Sequence, residues 1–497
     1  MRKIREWWDK VVEHGPKYGY FPKACKSWLV VKADKEQEAR ELFNGTGVNI
    51  TLEGRKYLGG FVGIDEGKEK YVGELVGEWV SQIEVLSDIA RSEPQSAYSS
   101  FTAGFKHKHT YFIRTMPHIT EIFKPVDDVI DQKFIPAITD RGAISQDDRI
   151  LLSLLVKLGG LGIPIFSKCA NIEYTNSLRL AETLTRNIVA QETAYNLDDR
   201  MEKEKVAQQK KEREERNSQI LRELRSKMSQ EQIRANDLAQ LKGASAWLTS
   251  LPLKSEGYVL NKREFFDALA LRYRWNLKYL PTKCQCGNPF NMDHAMQCLY
   301  GGYIHRRHDR IRDLFAKLLD GVAYGVEVEP RLQPVSGEVL TAGTSVDDEA
   351  RLDFAGKGFW QQCEMAYFDV KVFSPFAKTH MSKPLDTVFK NQETIKKTKY
   401  NDRIIKIEHG SFTPVVLSSY GGLGRESSCF LSKLIEKIAN KQDTETSLVA
   451  NFVRTKVSFE LVRSQVACIR GSRSLKKISM DVKEIEVVEV SSGIRES

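Results

Sequence analysis

The chain lacks any apolar run approaching the ~18 residues that a membrane helix needs. Its start, MRKIREWWDKVVEHG, is a charged amphipathic segment with no secretory apolar core. Cysteine is scarce: eight in 497 residues, thinly spread except for three between Cys284 and Cys298. That usage argues against a disulfide framework and predicts a reducing, intracellular compartment with one local metal site. An excess of acid is also missing. Lys and Arg number 75 against 66 Asp and Glu, a net charge of +9, which suits a polyanionic partner without requiring one. Absent too is an Asp-Asp pair on a tight hairpin after an aromatic residue and Ala, an arrangement that would hold the metal ions of a nucleotide polymerase. The pairs Asp127-Asp128, Asp147-Asp148, Asp198-Asp199 and Asp347-Asp348 all stand in other contexts, so polymerase activity is not expected of this chain alone.

What is present supports real cores: 41% of residues are hydrophobic, and the length suffices for about three domains. The expected fold class is multidomain α+β, with a largely helical N-terminal half and a mixed sheet flanked by helices near the C-terminus. Residues 1–65 read as a helix through Trp7, Trp8 and Val11, then short strands with a turn at Glu53-Gly54. Residues 66–195 are helical by period, with Val72, Leu75, Val76, Trp79, Ile83 and Leu86 on one stripe. Ser145 with Asp148 predicts a helix N-cap, and Gly159-Gly160 a helix stop rather than a phosphate loop. His107, Lys108 and His109 read either as backbone contacts to nucleic acid or as a polar turn before a helix. Residues 196–280 begin as a solvated charged helix or helical pair linking domains. Trp247, Tyr273 and Trp275 in its second half read as core aromatics.

Residues 281–305 hold Cys284-x-Cys286, then His294, then Cys298, a C-x-C-x7-H-x3-C spacing. Three thiolates and an imidazole suit tetrahedral Zn²⁺, and four protein ligands would leave no open position, hence a structural role. Asp293 is a candidate outer partner for His294. Directly after come Tyr303, His305, Arg306, Arg307 and His308, where Tyr303, Arg306 and Arg307 are candidate nucleic-acid contacts. His305 and His308 are alternative zinc ligands.

Residues 306–475 give the order helix, three strands, helix, strand. The stretch Val326–Phe373 contains VEVEPRLQ, EARLDFAG and MAYFDVKVF, which set acids among apolar residues. Asp369 and Lys371, two apart on a strand, project from the same face. Buried acids need compensation, and a divalent cation supplies it. Asp353 and Asp369 are therefore the candidate Mg²⁺ ligands, Lys371 the candidate for orienting water, and Glu329 a candidate third acid, ahead of Glu327 and Asp313. The bare Asp-x-Lys triplet is weak, since Asp131-Gln-Lys133 and Asp481-Val-Lys483 repeat it. The plainer alternative is an ion pair of Asp353 with Arg351 or Lys371. Gln392, Lys397 and Tyr400 are placed to line the cleft, and Gly421 to Gly424, after a strand, to offer N–H groups to a phosphate. SLVANFVRTKVSFELVRSQVACIRG predicts a packing helix with Arg454, Lys456, Arg463 and Arg470 outward. Residues 476–497 read as a flexible tail.

These motifs carry a resemblance. WWDKVVEHGPKYGYFPKACKSWLVVK followed by YLGGFVG looks like the segment of a reverse transcriptase just after its catalytic aspartates. Lys26-Ser27 matches its lysine-bearing motif and Tyr57-Leu58-Gly59 its primer-grip hairpin. With LGGLGIP, the knuckle, and Arg351-x-Asp353 … Asp369-x-Lys371 with Lys397-x-x-Tyr400, nearly the whole chain resembles one polyprotein end. It is similar to the C-terminal part of non-long-terminal-repeat retrotransposon proteins that carry a restriction-like endonuclease. Leu352 stands where that family often has Pro, and the first cysteine pair is tighter than usual. The resemblance implies a thumb-like helical domain, a zinc knuckle and a Mg²⁺-dependent endonuclease that nicks target DNA to prime reverse transcription. It also implies DNA and element RNA as partners, a nuclear location, and a polymerase palm upstream of Met1 or on a partner chain. A truncated, non-catalytic nucleic-acid-binding remnant is the alternative expectation.

Overall fold

A computed structural model describes residues 1–191 and 199–472. The expected tail at 476–497 lies outside them, as does the repeat at Asp481. The described residues form a mixed α+β protein, mostly helical, with three small sheets. No described helix is long and apolar enough to cross a membrane.

Near the N-terminus, the helix Arg2–His14 precedes β1 (Trp28–Val30) and β2 (Asn49–Thr51), which pair in parallel. The strands β3 (Gly54–Tyr57) and β4 (Gly60–Gly63) form an antiparallel hairpin. The helix Asp65–Ala90 then buries Val72, Val76, Trp79 and Ile83 on the expected stripe, with Leu75 and Leu86 packed partly against it. Ser145 does cap its helix: Asp148 N donates to Ser145 Oγ at 3.1 Å. That helix stops at Ser153, earlier than the apolar run suggested, and a 3-10 turn at Val156–Leu158 leads to Gly159 at φ +92°. Such a φ favours glycine, and Gly160 packs too close to the Leu154 carbonyl to admit a Cβ. Asp127 is no polymerase acid either. It is buried and accepts from Phe166 N (2.8 Å) and Ser167 N (2.9 Å), capping the helix Phe166–Ala190.

The charged stretch divides in two. The helix Asp199–Arg225 is strongly polar, whereas Gln230–Gln240 starts in a Ser229–Gln232 capping box and buries Arg234, Ala235, Leu238 and Ala239. Trp247, Tyr273 and Trp275 join the large core of the helical half, as their spacing suggested.

The C-terminal order is the expected one. The helix Tyr303–Asp320 precedes β5 (Tyr324–Val328), β6 (Phe354–Lys357) and β7 (Met365–Phe373). The helix Leu385–Arg403 and β8 (Ser411–Ser418) follow. The strands lie in the order β5-β6-β7-β8, antiparallel up to β7 and parallel between β7 and β8. Two helices close the fold, Arg425–Gln442 and Thr446–Arg470. The last buries residues on most sides, among them the polar Thr455, Ser458, Ser464 and Gln465. Val453, Val457 and Leu461 pack in the core beside the sheet, while Phe459 and Val462 belong to the helical half. Its basic residues do not point freely outward. Arg470 grips Asp267 through two 2.6 Å contacts, and Lys456 donates to Glu256 O at 2.7 Å. One helix thereby staples both halves.

Candidate active site and metal centre

The candidate acids meet where β6 begins. The register pairs Phe354 with Phe368, so one residue earlier Asp353 stands across from Asp369. Asp353 precedes the strand proper, but its N still donates to Phe368 O at 3.1 Å. Val370 N donates to Asp353 Oδ2 at 2.5 Å, and Asp353 Oδ1 lies 2.8 Å from His308 Nε2 on the helix Tyr303–Asp320. Asp369 is 5% exposed between the buried Phe368 and Val370. Lys396 Nζ, from the helix Leu385–Arg403, lies 2.5 Å from Asp369 Oδ2 but off the line of a well-aligned hydrogen bond, and no other described donor reaches that oxygen. Burial holds the Asp369 pKa above the usual carboxylate value; Lys396 opposes this and the Asp353 charge reinforces it.

Lys371 shares the Asp369 face of β7. The residue is exposed overall, yet desolvation by the surrounding protein, and then the Lys396 charge, hold its pKa below the ordinary lysine value. Two carboxylates thus face each other, with an imidazole, one half-buried ammonium and one open ammonium around them. The plainer ion-pair alternative named the wrong partners: Asp353 meets His308 rather than Arg351 or Lys371.

Glu329 sits beside this cluster through its backbone, its N donating to Asp353 O at 3.0 Å. Its carboxylate turns to Arg312 (2.5 Å) and Arg351 (3.8 Å). Asp313 is likewise taken by Arg312, at 2.9 Å. Lys397 pairs with Glu426 at 2.8 Å. Gln392 reaches His380, and Tyr400 is buried among Leu352, Ile404 and Phe412. Tyr400 is therefore a core residue and not a surface for nucleic acid. Gly422 also needs correcting. Gly421 and Gly422 are buried at φ +96° and +81°, pressed against Ala244 and Leu241, so their turn is a packing device. The helix N-terminus behind it is occupied from within, since Glu426 N donates to Glu393 Oε1 at 2.9 Å.

The knuckle closes as its spacing predicted. The ligand atoms of Cys284, Cys286, His294 and Cys298 all lie within 4.8 Å of one another. It is the one such group of three or more His, Cys, Asp or Glu side chains among the described residues. Cys284 Sγ is 3.7 Å from Cys298 Sγ, and Cys286 Sγ 3.3 Å from His294 Nε2. Gly287, at φ +89°, turns the chain so that Cys284 N reaches Asn288 O at 2.8 Å. Hydrogen bonding from Asn288 holds the Cys286 thiol down to about 7. Three thiols and an imidazole this close together could hold a metal ion such as Zn²⁺.

No protein-family model and no curated protein matches this chain. The chemistry of the site is therefore read from its own side chains.

Around the knuckle the expected contacts separate. Arg306 is exposed and lies 5.1 Å over the Tyr303 ring. Tyr303 itself is buried, with its OH donating to Ser472 O at 2.7 Å. Arg307 is only 2% exposed and donates to Met296 O at 3.3 Å, which removes it from any nucleic-acid surface. Asp293 pairs with Arg274 through contacts of 2.9 and 2.8 Å. His308 is drawn to Asp353, and Lys26 is exposed on a turn of the N-terminal unit. The His-Lys-His run lies inside a helix, which overturns the turn reading, and His109 is fully buried and so is no nucleic-acid contact, whereas His107 and Lys108 are exposed. The residues not foreseen at the acids are His308 and Lys396.

Proposed function

We propose that the C-terminal half is a Mg²⁺-dependent, restriction-like DNA endonuclease module of a retrotransposon protein, stiffened by a structural zinc knuckle. The observation that carries the reading is Asp353 facing Asp369, with Lys371 on the same strand face. The donor set fits a hard divalent cation: two carboxylates, one of them with an oxygen no aligned donor satisfies, in a site that resists bearing their charge. A cation held there would act as a Lewis acid toward the scissile phosphate and the attacking water. Asp353 is oriented by Val370 N and His308, so its free lone pairs face a fixed direction. Lys371, with a lowered pKa and an open position, orients water or meets a phosphate oxygen. Arg306, exposed at the knuckle, would meet the DNA backbone.

In this reading the partners are DNA and the element's RNA, and the place of action is the nucleus. The rival, a non-catalytic nucleic-acid-binding remnant, draws on the fact that His308 and Lys396 already partner both acids. Supercoiled plasmid separates them. Conversion to open circles with Mg²⁺, abolished by EDTA, supports the nuclease; no conversion at any Mg²⁺ or Mn²⁺ concentration supports the remnant.

A further inference from the structure

Lys396 occupies an unusual place. It reaches from the helix Leu385–Arg403 to a carboxylate on β7, and its side chain is 19% exposed against 7% for Asp369. Its ammonium is 2.5 Å from Asp369 Oδ2, too poorly aligned for a good hydrogen bond, so the contact is mainly one of charge. It also lies near enough to Lys371 to depress that residue's pKa. One ammonium thus contacts the buried acid, and a second acts on both through charge from farther off. The four-carbon stem of lysine is flexible, so the ammonium can leave the carboxylate without moving the helix.

Resting on the nuclease reading, we infer that Lys396 is a built-in counter-ion for Asp369, displaced when a divalent cation binds and then free to hold the substrate phosphate. Its ammonium keeps the buried carboxylate tolerable while the site is empty of cation. An incoming cation competes with it, so Lys396 weakens cation binding by holding the acid. Once released, it gives the cleft a second positive group beside Lys371 for a phosphodiester. Lys396 is then a positioning residue with opposite effects on two measurable steps, which a purely structural lysine would not have.

The test titrates Mn²⁺ into zinc-loaded full-length protein, reading free Mn²⁺ by its paramagnetic resonance signal, with Asp369→Asn to identify the site. Lys396→Met is expected to bind Mn²⁺ about tenfold more tightly than wild type while nicking plasmid at least about tenfold more slowly. Lys396→Arg, which keeps the charge, is expected to bind within about threefold of wild type. Circular dichroism checks folding, with Lys396→Gln as the substitute should Met not fold. Unchanged or weaker Mn²⁺ binding in a folded Lys396→Met or Lys396→Gln overturns the inference. Tighter binding with no nicking by any protein upholds the counter-ion and defeats the nuclease. Nicking by wild type with Mn²⁺ affinity indifferent to Lys396 does the reverse. Absence of any Asp369-dependent Mn²⁺ binding defeats both.

Discussion

His109 offers the most quantitative check on the helical half. It lies within the helix Lys106–Thr115, 0% exposed, with its ring 4.6 Å from Phe166, 4.7 Å from Trp79 and 5.3 Å from Phe105. Neither ring nitrogen has a hydrogen-bond partner. Burial, and then the Lys108 charge, push its pKa down to about 4. An unfolded histidine titrates near 6.5. Below that pH the unfolded chain takes up a proton that the folded one refuses, so stability falls as pH drops from 6.5 to about 4, and is flat below. At about 1.4 kcal/mol per pH unit the full loss is about 3 kcal/mol, of which about 2 kcal/mol has appeared by pH 5. His109→Phe keeps the ring shape, removes two unsatisfied nitrogens and abolishes this term. Urea unfolding of both proteins at pH 7.5 and pH 5 should show a variant more stable by about 1 kcal/mol at the higher pH, with the gap widening by about 2 kcal/mol at the lower. A gap that stays constant, or a variant less stable at pH 5, would refute the assignment of His109 as a buried neutral ring.

Four further outcomes follow from packing and from the knuckle. Purified protein should carry about one equivalent of zinc by elemental analysis. Cys298→Ser or chelation should expose residues 281–300 to protease, because the knuckle packs on Leu271 and Ile469; a protease-resistant, metal-free protein would contradict this. Gly422→Ala should destabilise by at least about 1–2 kcal/mol, since its φ is +81° and the new Cβ would sit 2.2 Å from Leu241 Cδ1; an unchanged melting temperature would count against that packing. Arg403, fully buried, donates to Gln333 O (2.6 Å), Ser345 O (3.1 Å) and Asp347 O (2.8 Å). Arg403→Met should cost about 3 kcal/mol or more and open the loop between Leu332 and Ala350 to proteolysis, a loop that a merely local role would leave intact.

Local patterns were readable and distant ones were not. The knuckle was legible because its ligands fall within one short stretch, and Asp369 with Lys371 because period-two alternation fixes a strand face. Helix phase decided the misses. Tyr303, Arg307, Ile311 and Phe315 recur every fourth residue, a stripe that buries Arg307 and turns His308 toward the acids. That signal was present, but the local basic run outweighed it. Likewise Glu393, Lys396 and Tyr400 share one helix face, so Lys396 rather than Lys397 reaches Asp369. Gly422 against Leu241 joins residues far apart in the chain, and nothing near Gly422 announces that contact. The same holds for the last helix, whose apolar residues implied packing without saying which two cores it joins.

The central claim is that Asp353, Asp369 and Lys371 cut DNA. Its most direct test measures plasmid nicking rates with Mg²⁺ for zinc-loaded wild type, Asp369→Asn and Lys371→Met, each shown to be folded by circular dichroism. Wild type should nick, and each variant should be slower by about a hundredfold or more. Nicking at wild-type rate in both variants, or none by wild type, would contradict it.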